Sequence, residues 1–213
     1  MSKHCIGYLD DEPGQIVKFM DKFENFFEIK EIKMENISEP VDIINEIIEN
    51  GLELIILDFM LNAKGKHFNA DEIIKEIDKW NPHFPRLIIT THEIEAFGQL
   101  DDVNIINIKK DLDEKAKDGN NLFVMKVEKN IKQYKHKKED AIRRLDELVE
   151  KKRKAVLSLE EEEEYFNNYR FLNDIEPSER LIPSHFLTPQ NISSLHDLLL
   201  SAESIINQLK GKK

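Results

Sequence analysis

An α/β fold with a parallel sheet, followed by a helical extension, is what this 213-residue sequence predicts. Three observations carry that prediction. First, Leu52-Glu-Leu-Ile-Ile-Leu-Asp58 is an apolar run that ends in a carboxylate. It lacks the polar alternation of a half-exposed strand and so reads as one buried on both faces, as in parallel sheets. Second, strand-like and helix-like segments alternate five times before about residue 120. Parallel neighbours need such crossovers, and these are nearly always right-handed. Third, from about Asn121 strand signals give way to heptad-like apolar spacing. The expected organisation is one α/β domain over 1–120 and a helical extension over 121–213.

Ile6-Gly-Tyr-Leu9 is a short apolar strand that stops at Asp10-Asp11-Glu12. Pro13 suits the first turn of a helix, where its missing N–H has no partner to lose, and Ile16, Val17, Phe19, Met20, Phe23 and Phe27 recur at helical spacing. Glu28 to Glu35 alternates, with Ile29, Ile32 and Met34 among charges, as expected of an edge strand. Ser38 is placed to cap a second helix with the stripe Val41, Ile44, Ile47 and Ile48, which Asn50-Gly51 ends. The run to Asp58 follows. A polar loop from Asn62 then leads to Asn69, the expected cap of a helix carrying Ile73, Ile74, Ile77 and Trp80, which Pro82 stops. Arg86-Leu-Ile-Ile-Thr90-Thr91 is the fourth strand, a short helix covers Ile94 to Leu100, and Val103 to Ile108 is the fifth strand, ending at Lys109-Lys110.

In the extension, Val124, Val127, Ile131, Tyr134, Ala141, Leu145, Leu148, Ala155 and Leu159 predict one helix of nearly 40 residues, whose seam needs a partner in a coiled coil or hairpin. Ser158 with Glu161 has the spacing of a capping box, and Glu160 to Glu164 would sit well at a helix N-terminus. Thr188-Pro189 marks another start, and Ile192, Leu195, Leu199, Ala202, Ile206 and Leu209 form a heptad stripe. Dimerisation or docking to a helical partner protein is the role this pattern favours.

Composition narrows the function classes. A formal charge of -11 and a pI near 5.2 argue against a generic nucleic-acid binder, which needs a basic footprint. Lysines and arginines are dense over 126–138 and 143–154, but interleaved charge on a long helix is usually a solvated face. Cys5 is the only cysteine, so intrachain disulfides are excluded. No apolar run approaches the roughly 20 residues that span a bilayer, and the first strand begins almost at Met1. A cytoplasmic protein without membrane contact is the expectation.

Open α/β sheets bind ligands beyond the carboxyl ends of their strands. Here those ends carry Asp10 and Asp11, Asp58, Thr90 and Thr91, and Lys109 and Lys110. Alone, each is commonplace: Asp58 reads as a turn or helix cap, Asp10-Asp11 as a cap of the first helix, and His67, His83, His92 and His136 as surface residues without ligand spacing. All four strand ends together make a more specific signal.

The segments Ile6-Gly-Tyr-Leu-Asp-Asp-Glu-Pro13, Leu54-Ile-Ile-Leu-Asp58, Pro85-Arg-Leu-Ile-Ile-Thr90 and Ile108-Lys-Lys-Asp111 resemble the response-regulator receiver domain of two-component signalling, over roughly residues 3–125. The resemblance implies a flavodoxin-like sheet in the order 2-1-3-4-5. It implies Asp58 as phosphoacceptor, Thr90 as switch hydroxyl and a strand-five lysine as the cation of the site. Lys110 is the preferred lysine, because Lys109 would put Asn107 in an apolar slot; Lys109 is the alternative. Where the family often has an aromatic residue and a proline around this lysine, the sequence has Asn107 and Asp111, and it lacks a Leu-Pro-Gly pattern after Asp58.

Three converging carboxylates repel one another, which a hard divalent cation relieves. Mg²⁺ is the implied cofactor, with Asp11 and Asp58 as direct ligands, Asp10 holding a water and, by the family pattern, the backbone carbonyl of Met60 completing the set. The implied role is phosphoryl acceptance from a histidine kinase or phosphotransfer protein, with self-phosphorylation from a donor and self-dephosphorylation as the only chemistry and the extension as output. The competing expectation is a receiver-like scaffold that is never phosphorylated and works through its helical tail.

Overall fold

A computed structural model describes residues 3–61 and 68–175. The order of elements is β1 (His4–Leu9), α1 (Pro13–Phe23), β2 (Phe27–Glu31), α2 (Ile43–Glu49), β3 (Leu54–Asp58), α3 (Ala70–Trp80), β4 (Arg86–Thr90), α4 (Glu93–Gln99), β5 (Ile106–Ile108), α5 (Leu122–Lys152) and α6 (Leu159–Ile175). The five strands form one sheet in the order β2-β1-β3-β4-β5, and every pairing is parallel. The expected alternation and strand order are therefore present.

β3 is central and buried along its whole length. Its side chains alternate between two cores, as a pleated strand requires. Ile55 and Leu57 join the core that includes Ile43, Ile47, Ile73, Ile77 and Ala96, from α2, α3 and α4. Leu54 and Ile56 join the opposite core with Ile16, Phe19 and Phe23 of α1 and Phe123, Val124, Val127 and Ile131 of α5. β1 must approach its neighbours closely at Gly7, where an added Cβ would lie 2.5 Å from Leu52 Cδ1 and 2.8 Å from Ile32 Cδ1. Any larger residue there would displace two core side chains.

Local chemistry explains where the elements depart from expectation. Phe27 does not extend the first helix but opens β2, because the chain turns at Glu24–Phe26. β2 stops at Glu31, and Met34–Asn36 is a 3-10 turn rather than strand. Ser38 is not the cap of the second helix: Glu39 precedes the 3-10 turn Pro40–Asp42, and the Asp42 carboxylate accepts the N–H groups of Ser38 and Glu39 at 2.8 and 2.9 Å. Asn69 does start α3, with its N–H donating to Glu72 at 2.9 Å. The fifth strand is only Ile106–Ile108, since Val103–Ile105 forms a 3-10 turn. The loop over 62–67, the prolines 177 and 183, and the heptad stripe after Thr188 lie outside the described residues.

The chain divides into two compact units between Lys135 and His136. The first part of α5, Leu122 to Lys135, belongs to the first unit, where Asn121 Oδ1 accepts the Val124 N–H at 2.9 Å and starts the helix. The helix is shorter than the nearly 40 residues expected, and of the two partners expected for its seam, coiled coil or hairpin, the described residues of the second unit form a hairpin. α5 ends at Lys152 after 31 residues and α6 begins at Leu159. The Ser158–Glu161 capping box is the reason: Ser158 N–H donates to Glu161 at 3.0 Å and Glu161 N–H to Ser158 Oγ at 3.3 Å. These bonds restart the helix despite continued apolar spacing. The pairs Arg144–Glu164 and Lys151–Glu161 show that the two helices run antiparallel, around a small core of Leu148, Leu157 and Tyr165. No described helix is long and apolar enough to cross a membrane.

Candidate functional site

β1 and β3 are neighbours at the middle of the sheet, and the crossover that leaves β1 runs one way, to β2, while the one that leaves β3 runs the other, to β4. This switch point is where an open α/β sheet leaves a crevice at its carboxyl edge. Asp10 follows β1 directly and Asp58 closes β3, which places both at that crevice. Asp10 is 2% exposed and Asp58 7%, both far below the usual exposure of an acid. Asp11 is half-buried beside them. One carboxylate oxygen from each of Asp10, Asp11 and Asp58 lies within 4.8 Å of the others.

A lysine answers this charge. Lys109 Nζ stands 2.7 Å from Asp58 Oδ1 and 3.3 Å from Asp10 Oδ2. Lys110, the residue favoured from the sequence, is instead exposed and lies 3.7 Å from Glu93. The difference comes from Asn107, which was expected to be unsuited to an inward slot. Its amide donates to the carbonyls of Ile88 and Ile105 at 3.1 and 2.9 Å, and its Oδ1 accepts from Lys126 at 2.8 Å. With its polar atoms satisfied, Asn107 is tolerated there. The register that follows delivers Lys109 to the carboxylates.

Burial acts on these groups in opposite directions. It pushes the Asp58 carboxyl up to about 6, with the Asp10 charge adding to the rise, while Lys109 and the Met60 backbone N–H hold it down. For Lys109 burial favours the neutral amine, but the carboxylates of Asp58 and Asp10 outweigh it and hold the ammonium above its ordinary value. The lysine is therefore charged. Met60 meets Asp58 through its N–H, and its carbonyl remains an expected ligand only by resemblance.

Thr90 ends β4 and is 1% exposed. Its Oγ1 accepts the His92 N–H at 2.8 Å, which leaves the hydroxyl hydrogen to donate elsewhere. The Phe59 N–H donates to the Ile89 carbonyl at 3.1 Å, so the chain just past Asp58 is tied to β4 beside Thr90. Thr91 is exposed and, with Ile94, Ile108 and Lys110, lines an open hollow of about 430 Å³ at the start of α4. That hollow is separate from the acidic cluster.

One site residue was missed in the sequence. Tyr8 is 2% exposed and its hydroxyl donates to Asp10 Oδ2 at 2.7 Å. It stands two positions before Asp10, and a strand places residues two apart on one face. That spacing was the available signal.

The donor set fits a hard divalent cation. Mg²⁺ prefers oxygen ligands at about 2.0–2.1 Å and keeps several waters, and three carboxylate oxygens converge here beside the Lys109 ammonium. No softer donor stands among them.

No protein-family model matches the sequence, and no curated protein matches it. Among solved structures, the chain is similar to an adenylate cyclase from Rhodopirellula baltica at 18% identity and a TM-score of 0.43, covering 70% of this chain and 98% of that one. It is also similar to RcsB from Salmonella enterica serovar Typhimurium, solved bound to the promoter rprA with phosphomimetic BeF3-, at 15% identity and a TM-score of 0.42, covering 61% of this chain and 99% of that one.

Proposed function

We propose that the first unit is a receiver domain that accepts a phosphoryl group on Asp58, and that the helical extension after residue 120 carries the output by protein contact. The observation that supports this most is the convergence of Asp10, Asp11, Asp58 and Lys109 at the switch point of a parallel five-stranded sheet. Thr90 ends the neighbouring strand.

In this reading an Asp58 carboxylate oxygen attacks phosphorus, the bond from phosphorus to the donor's leaving atom breaks, and an acyl phosphate remains. Bound Mg²⁺, held by Asp11 and Asp58 directly and by Asp10 through water, would neutralise phosphoryl charge. Lys109 is already paired with Asp58 and is placed to follow the new anionic oxygens when the carboxylate charge moves onto phosphate. Thr90 has a hydroxyl hydrogen to donate to another of those oxygens, which would draw the start of α4 with it through the His92 N–H. The donor would be a histidine kinase or phosphotransfer protein, since a phosphohistidine is a ready source of a phosphoryl group for a carboxylate.

The experiment is intact mass after incubation with Mg²⁺ and acetyl phosphate, for the wild type and for Asp58→Ala. A single phosphoryl adduct in the wild type only is expected. No adduct in the wild type, with no Mg²⁺ binding, would favour a scaffold that uses the receiver fold without phosphorylation.

A further inference from the structure

Both oxygens of the Asp10 carboxylate are engaged. Its Oδ1 accepts the Glu12 N–H at 2.9 Å. Its Oδ2 is shared by Lys109 at 3.3 Å and the Tyr8 hydroxyl at 2.7 Å. The Tyr8 bond is the shorter of the two on Oδ2, and it comes from a rigid direction. The Tyr8 ring is stacked on Phe19 with centroids 4.0 Å apart and planes 19° apart, and Phe19 in turn packs on Phe23 and Phe123. The hydroxyl of a buried ring in this stack has little freedom to turn away, so it fixes the plane of the carboxylate.

We infer that Tyr8 is a positioning residue for the cation site, locking the Asp10 carboxylate so that Asp10 serves through water while Asp11 and Asp58 are left as direct ligands. The inference rests on the Mg²⁺-dependent reading above. Its physical basis is general: groups that hydrogen-bond a metal-site carboxylate from outside orient it, and their loss typically weakens metal affinity by about 10–100-fold. Tyr8 also divides Asp10 Oδ2 with Lys109. Without the hydroxyl, Lys109 would take that oxygen alone and its grip on Asp58 would slacken.

The test is Mg²⁺ titration of the 213-residue chain by calorimetry, for the wild type, Tyr8→Phe and Phe19→Leu. Tyr8→Phe keeps the ring in the stack and removes only the donor. The expected result is a Kd for Mg²⁺ raised about tenfold. Phe19→Leu, which loosens the ring that aims the hydroxyl but keeps the donor, is expected to raise the Mg²⁺ Kd by a smaller factor than Tyr8→Phe while lowering the melting temperature more. A purely structural role for Tyr8 would leave the Mg²⁺ Kd of Tyr8→Phe at the wild-type value, whatever the change in melting temperature. Wild-type binding with an unchanged Kd in Tyr8→Phe would overturn the inference alone. Absence of saturable Mg²⁺ binding in the wild type would overturn the reading of the site and this inference with it.

Discussion

Asp58 sits between two opposed influences, and the balance has a measurable sign. Burial raises its carboxyl to about 6 in the folded protein, against about 3.9 in an unfolded chain. Between those values the folded state holds more protons than the unfolded one. In the presence of a chelator, stability therefore falls as pH rises from about 4 through 6, and stays reduced above. The shift corresponds to roughly 2–3 kcal/mol. Asp58→Asn mimics the protonated acid and is expected to stabilise the metal-free protein by about 2 kcal/mol near neutral pH and by almost nothing near pH 4, as read from urea denaturation at both pH values. Equal effects at the two pH values would contradict the account. The strand ends alone pointed to Asp10, Asp11 and Asp58, whose carboxylates do converge, and to Thr90, which ends β4. They did not decide the lysine, because choosing between Lys109 and Lys110 depended on whether Asn107 could face inward, and its partners Lys126, Ile88 and Ile105 come from three different segments.

At the scale of elements, α5 is held to the sheet by polar ties as well as by its apolar seam. Lys126 donates to the Asn104 carbonyl at 2.9 Å and to Asn107 Oδ1 at 2.8 Å. Burial depresses its pKa, and the Asp102 charge only partly offsets that. Further along, Tyr134 Oη accepts from Asn81 at 3.0 Å, and Lys135 pairs with Glu53. Removing Lys126 leaves Asn107 Oδ1 without its lysine donor. Lys126→Ala is expected to cost about 1–3 kcal/mol by urea denaturation, whereas Lys132→Ala, which breaks only the exposed pair with Glu128, should cost under about 1 kcal/mol. Comparable losses would mean that the Lys126 tie is no more than a surface contact. The sequence showed α5 by its periodicity but not its end, since apolar spacing continues through Ala155 and Leu159 while the Ser158 cap restarts the helix. Two local signals competed there, and the hydrogen-bonding one prevailed.

For the whole molecule, the consequence is where the first unit can be cut. Phe123, Val124, Val127 and Ile131 are buried against the sheet. At roughly 1.5–3 kcal/mol for each buried side chain, they contribute an amount comparable to the 5–15 kcal/mol that stabilises an ordinary domain. A chain of residues 1–135 is expected to fold cooperatively and keep Mg²⁺ binding, while residues 1–120 should fail to give a cooperative melt; equal behaviour would refute this role for α5. Sequence periodicity put the change of character near residue 121, whereas the compact units divide between Lys135 and His136, because a change of pattern is not a boundary of packing. Phosphoryl acceptance at Asp58 can be trapped chemically. After Mg²⁺ and acetyl phosphate, borohydride reduction converts an aspartyl phosphate to homoserine, and peptide mass spectrometry locates the product. Homoserine at position 58 alone, lost when Mg²⁺ is chelated, is the result the account predicts; no homoserine, or homoserine at another aspartate, would contradict it.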